Sequence, residues 1–192
     1  DGEWQPHPLQ GELENAINPP GSSEARKALQ SIPVRVMFND PELSANARLE
    51  AYDRNRRLVC AGDGCSAKRV VNNKIQSVEC VGTDLCEFGV ENRCALMTRL
   101  TVLINHQSKT YPMDEHSGFI LRSRGYNSYN ALMAKLDRFA KLFKGRLLGV
   151  PMVLRLLGKS SKDSHGSVFF YVSLDLAQST LESAKIGAAT AR

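Results

Sequence analysis

Apolar and polar positions follow two rhythms along this chain, and together they divide it into several strands and one clear helix. Leu96 to Asn105 (LMTRLTVLIN) carries the strongest strand signal, with Met97, Leu100, Val102 and Ile104 among its apolar positions, and reads as a strand from the middle of a sheet. Ile32 to Phe38, Arg57 to Cys60, Val150 to Leu157 and Val168 to Leu176 read as further strands. Lys68 to Val71 and Ile75 to Cys80 form a hairpin pattern joined through Asn72-Asn73, a turn that tolerates positive φ. From Asn127 to Phe143 the period changes: Tyr129, Leu132, Met133, Leu136, Phe139, Ala140 and Phe143 recur at spacings of three and four, with Asn127 or Ser128 as N-cap and Gly145 as stop. A further helix is expected from about Pro41 to Tyr52, because Asn39-Asp40-Pro41 supplies turn, cap and first helical position.

The ends have a different character. Residues 1–31 hold four prolines and a Gly-Ser-Ser run, which predicts a flexible, poorly structured arm with one helical turn around Glu12 to Ile17. Residues 177–192, rich in Ala, Ser and Thr, predict a weak helix or tail. The folded domain is thus expected over 32–176. It should be of α+β class: a mainly antiparallel sheet, with an OB-like (oligonucleotide-binding) barrel as the candidate closure, one amphipathic helix and a cysteine loop.

At 192 residues, 42% of them hydrophobic and 23% charged, the chain suits one compact soluble domain and excludes collagen-like, coiled-coil and wholly disordered classes. No apolar run approaches the roughly 18–20 residues that span a bilayer. The opening DGEWQP has neither a basic nor an apolar export region, so a cytoplasmic protein is expected. Net charge is +5 but unevenly placed. Residues 1–59 carry nine acidic and seven basic side chains, whereas Arg99 to Lys162 carries twelve basic and only three acidic ones. A positive field of that kind most commonly meets a phosphate backbone.

All five cysteines fall between Cys60 and Cys94, an odd number in a local cluster. In a cytosolic chain this favours metal over disulfides. Thiolates from loops around a hairpin can close a tetrahedral zinc site, and a cage of four leaves no open position for catalysis. Cys80, Cys86 and Cys94 belong to one loop and are the firm candidates; the fourth ligand is Cys60 or Cys65. Among the histidines, His7, His106, His116 and His165 have no partnered acid or nucleophile in view, and no G-x-S-x-G, H-E-x-x-H or P-loop is present, so no catalytic residue is assigned.

VCAGDG at Val59 to Gly64, AKR at Ala67 to Arg69, VEC at Val78 to Cys80, then CEF, RC, RLTV, GYNSYNAL and LLGVPMVLRL occur in an order that resembles the zinc-binding recombination directionality factor-like family of phages and integrative mobile elements. The resemblance covers Ile32 to Leu176. It implies an accessory protein working on DNA with recombination or replication machinery, and some members control the direction of serine integrases; with no catalytic motif present, no enzyme activity is expected. It also implies that the first cysteine precedes the glycine turn, which ranks Cys60 above Cys65 beside Cys80, Cys86 and Cys94.

DNA, single-stranded in preference to duplex, is therefore the expected partner, with a recombinase or replication protein beside it. The alternative is a protein-interaction module that regulates a recombinase without touching DNA. Candidate phosphate contacts are Lys68, Arg69, Arg99, Lys109, Arg122, Arg124, Arg155, Lys159 and Lys162, with Tyr111, Phe119, Tyr126 and Phe170 as stacking platforms. Arg122-Ser-Arg124-Gly-Tyr126 is the densest combination, and the loop from Gly158 to Ser167 could clamp a backbone.

Overall fold

The computed structural model describes residues 7–18, 29–109, 118–160 and 166–180. Among these, nine strands form one sheet with antiparallel pairing: β1 (Ser31–Val36), β2 (Ala45–Tyr52), β3 (Leu58–Gly62), β4 (Ser66–Val71), β5 (Lys74–Glu79), β6 (Ala95–Ile104), β7 (Phe119–Arg124), β8 (Pro151–Ser160) and β9 (Val168–Leu176). The helices are α1 (Pro8–Ile17), α2 (Pro41–Ser44), α3 (Glu87–Glu91) and α4 (Tyr126–Leu142). No described helix is long and apolar enough to cross a membrane.

The apolar strand β6 is central, as its composition predicts. It pairs with β2 over Ala95–Leu100, with β1 over Val102–Ile104, and with β7 over Met97–Val102. A strand has only two edges, and β7 overlaps both of the others. Hence β1 and β2 must follow one another along one edge of β6, with β7 on the opposite edge. The strand order is β5-β4-β3-β2-β6-β1-β8-β9.

This sheet is open, which corrects the expected barrel. Its two ends, β5 and β9, do not pair with each other. The free edge of β9 meets α4 instead of a strand: the Val172 N–H donates to Ser128 Oγ at 3.2 Å, and Ser123 Oγ donates to the same hydroxyl at 2.8 Å. Ser128 is thus an inward anchor and not the helix cap. Gly125, with φ of 100°, takes the N-cap position without a side-chain bond.

Leu132, Leu136 and Phe139 of α4 pack against Val34, Val36, Leu100, Val102, Met152, Leu154 and Leu174. Leu132 and Leu136 are fully buried, and truncating either to Ala should cost about 2–5 kcal/mol. Gly145 stops the helix with φ of 80°.

Two other expectations need correction. The helix expected from Pro41 to Tyr52 ends at Ser44, and Ala45–Tyr52 is a strand held between β6 and β3. Its residues (ANARLEAY) are mostly good helix formers, but two ladders and the burial of Ala45, Leu49 and Ala51 outweigh a propensity of a few tenths of a kcal/mol per residue. The expected flexible arm contains a docked helix: Leu9 and Leu13 of α1 are buried beside Ile32, Ile104 and Phe119. His7 Nδ1 accepts from the Leu9 N–H to cap α1, and Glu12 accepts from Ser108 Oγ and the Lys109 N–H.

Candidate functional site

Register determines which side chains share a face. In an antiparallel pair, directly opposed residues point to the same side of the sheet. Leu49, Ala51, Leu96, Leu100, Val102, Leu154 and Leu174 belong to the core side. Partners one residue out of step belong to the other.

At one end of the core side, Cys60 of β3 lies opposite Ala51 and Arg69. The segment from Cys80 to Cys94 folds over them, so that Ala51, Cys60 and Ala67 form a small second core with Val59, Val78, Cys80, Phe88 and Cys94. Close approach is built into this fold. A Cβ on Gly62 would lie 2.8 Å from Cys80 Sγ, and one on Gly89 would lie 3.2 Å from the Cβ atoms of both Cys86 and Cys94. Cys86 caps α3: its Sγ accepts from the Gly89 N–H at 3.3 Å. Burial, followed by the neighbouring Cys60, Cys80 and Cys86 sulfurs, pushes the Cys94 thiol up, against an opposing pull from Arg69. Four of the five sulfurs are therefore electrostatic neighbours. Cys65 is exposed, on the turn before β4, and its carbonyl accepts from the Cys80 N–H.

Arg69 stands among these thiols. Its Nη2 donates to Cys86 Sγ at 3.3 Å, and its guanidinium lies 4.3 Å over the Phe88 ring. Interaction with Cys60, and then with Cys86, raises its pKa above the ordinary arginine value. Its Nε is buried without a hydrogen-bond partner. Among the described residues, no group of three or more Cys, His, Asp or Glu side chains is set at metal-holding geometry. The donor chemistry nevertheless fits a thiolate centre. The Arg69 guanidinium and the Gly89 N–H both donate to Cys86 Sγ, and a cation of this kind can offset the negative charge that metal-bound thiolates carry. Cys60, Cys80, Cys86 and Cys94 are the residues that could hold an ion there.

The other face of the sheet is cationic. Arg35 opposes Leu103 and Pro151, Arg48 opposes Met97, and Arg99 opposes Asn46 and Arg122. Arg124 opposes Met97, Arg155 opposes Ser31, and Lys159 lies farther along β8 on the same side. Lys68 of β4 extends the set and donates from Nζ to Ser77 Oγ. These side chains stand on the side away from the α4 core. Among the described residues, Arg35, Arg48, Arg122 and Arg124 are exposed and in no ion pair within 4 Å.

Sequence-predicted contacts thus separate into groups. Lys68, Arg122, Arg124, Arg155 and Lys159 share the open face, where Arg155 also pairs with Asp175 at 3.3 Å. Arg69 points into the cysteine cluster. Arg99 is held by Glu50 through bonds of 2.6 and 2.8 Å. Burial alone would raise the Glu50 carboxyl, but hydrogen bonds from Arg99 and Tyr52 outweigh it and hold the group below the usual carboxylate value. Lys109 lies in the loop tied to α1, away from the strands. Of the proposed platforms, Tyr126 is exposed at the start of α4, Phe170 is exposed on β9, and Phe119 is half-buried against the core and the His7 ring. Lys162, Tyr111, His116 and His165 lie outside the described residues. Arg35 and Arg48 join the face although sequence reasoning passes over them, since each sits in the acid-rich first third of the chain.

The family model described as Gp3-like, recombination directionality factor-like, matches residues 7–177. None of the curated proteins and none of the solved structures compared with the chain matches it.

Proposed function

Because the chain belongs to the recombination directionality factor-like family, we propose that this phage-type recombination accessory protein binds DNA through the open face of its sheet and is stabilised by a zinc ion on Cys60, Cys80, Cys86 and Cys94. One observation carries the DNA reading. Strands far apart in sequence bring Arg35, Arg48, Arg122, Arg124, Arg155 and Lys159 onto a single surface. Such a surface meets phosphates without reading base sequence, and each neutralised phosphate releases counterions. The zinc ion, when bound, supplies cross-linking of the Cys80–Cys94 segment to β3. Arg69 and the Gly89 N–H then offset the negative charge of four thiolates. An accessory, non-enzymatic role is part of this proposal; in its support, His7 caps α1 and His106 Nε2 lies 3.3 Å from Glu12, so the described histidines serve to hold the N-terminal helix.

The test is an electrophoretic shift series on single-stranded and duplex DNA across a salt range, with steep weakening at high salt as the expected result. Equal affinity at low and high salt would overturn the reading. A second reading, a module that binds a recombinase and not DNA, is favoured by the exposed apolar side chains Leu85, Val90 and Ile75, on the Cys80–Cys94 segment and β5. Capture of the recombinase that survives nuclease treatment, with no shift of DNA, would select it.

A further inference from the structure

We infer that the β8–β9 end of the open face is a stacking platform for unpaired nucleobases, with Phe169 as its principal ring; the inference rests on the phosphate-binding reading above. Phe169 is 55% exposed and lies directly opposite Lys159. Tyr171, two positions along the same strand, is half-buried opposite Leu157, and Arg155 follows opposite Ser173. By parity all four side chains stand on the cationic face. A ring beside an ammonium, with a guanidinium farther along the same strand pair, is the chemistry of a nucleotide: base against ring, phosphate against cation. A purely apolar protein partner would leave the Lys159 charge unmatched, whereas Arg155 already pairs with Asp175.

Spacing selects the form of the nucleic acid. Residues two apart on a strand are separated by about 6.6 Å. Bases in a duplex rise only about 3.4 Å per step. Successive bases can reach successive rings only if the strand is extended and unpaired, much as an open antiparallel sheet stacks single-stranded RNA. Phe170 does not share this platform, because it points to the opposite face. A Cβ added at Gly158 would lie 3.0 Å from Val168 Cγ1 and 3.6 Å from Phe170 Cε1, so those side chains cover that glycine.

The experiment uses the full chain, a fluorescent oligothymidine and a duplex of equal length, with fluorescence anisotropy as readout. Phe169→Ala should weaken oligothymidine binding roughly five- to one-hundred-fold and leave duplex binding within about twofold of the parent, and Phe169→Trp should restore single-strand affinity. A thermal midpoint equal to the parent's shows that folding is intact. Unchanged oligothymidine affinity in Phe169→Ala, or equal loss on both DNAs, overturns the platform while phosphate binding stands. So does loss of association with the recombinase alone, which would assign the ring to a protein contact. A parent protein that binds neither DNA overturns the phosphate reading as well.

Discussion

Replacing Arg99 with Met separates a structural arginine from a DNA-binding one. The Glu50 side chain is only 3% exposed, and its two oxygens accept from the two Nη atoms of Arg99 at 2.6 and 2.8 Å. Removing the guanidinium strands a buried carboxylate, for which about 3–5 kcal/mol is typical. Arg99 is itself 23% exposed, so solvent screens part of the interaction and the lower end, about 3 kcal/mol, is expected. In a domain of this size that loss lowers the thermal midpoint by roughly 6–12 °C. Pairing the change with Glu50→Gln should recover most of it, because the deficit lies in the orphaned charge. The pH dependence follows from the same contacts. In the parent the Glu50 carboxyl is held below its reference value of 4.5, so its contribution is present above that pH and is lost as pH falls through the folded value. In Arg99→Met burial is opposed only by the Tyr52 hydroxyl and the Arg48 charge, so the folded value rises from the parent's and acidification should narrow the gap between variant and parent. Circular-dichroism melts at neutral and mildly acidic pH measure both effects, and DNA affinity of the folded variant should stay close to the parent's. A melt within about 1 °C of the parent, or a double variant no better than the single one, would refute the reasoning.

Three other outcomes are expected. Changing Arg122 and Arg124 together to Ala should flatten the dependence of log affinity on log salt by about 1.8 on duplex DNA, and an unchanged slope would remove β7 from the contact surface. Ser substitution at Cys60, Cys80, Cys86 or Cys94 should each release zinc in elemental analysis while Cys65→Ser retains it; the reverse behaviour of Cys60 and Cys65 would exchange their roles. Gly62→Ala should cost about 1–3 kcal/mol in urea unfolding, since the new methyl meets Ala67 Cβ and Cys80 Sγ at 2.8 Å and the Ser66 carbonyl at 2.9 Å, and a neutral result would mean that the β3–β4 turn can shift away from the cysteines.

What could be read from the sequence was local. The alternation in β6, the period of α4 and the Asn72-Asn73 turn, with φ of 49° and 58°, each arise within a few residues and appear where expected. Ala45–Tyr52 misleads because its strand state is supplied by β6, some fifty residues downstream. β7 could have been found: Phe119, Leu121 and Ser123 alternate with Ile120, Arg122 and Arg124, but the two arginines draw attention to charge and away from the period. The fates of the basic residues lie beyond local pattern altogether. Arg69 and Lys68 are chain neighbours of nearly identical prior, yet strand pairing turns Arg69 toward Cys60 and Lys68 toward Ala61 on the other side. Arg99 meets its acid 49 residues away. Parity along one strand is a sequence property, whereas the face to which that parity belongs is decided by the neighbouring strand. A count of positive charges could therefore suggest an anionic partner, but only the assembled register could separate arginines that hold the fold from those left to meet that partner.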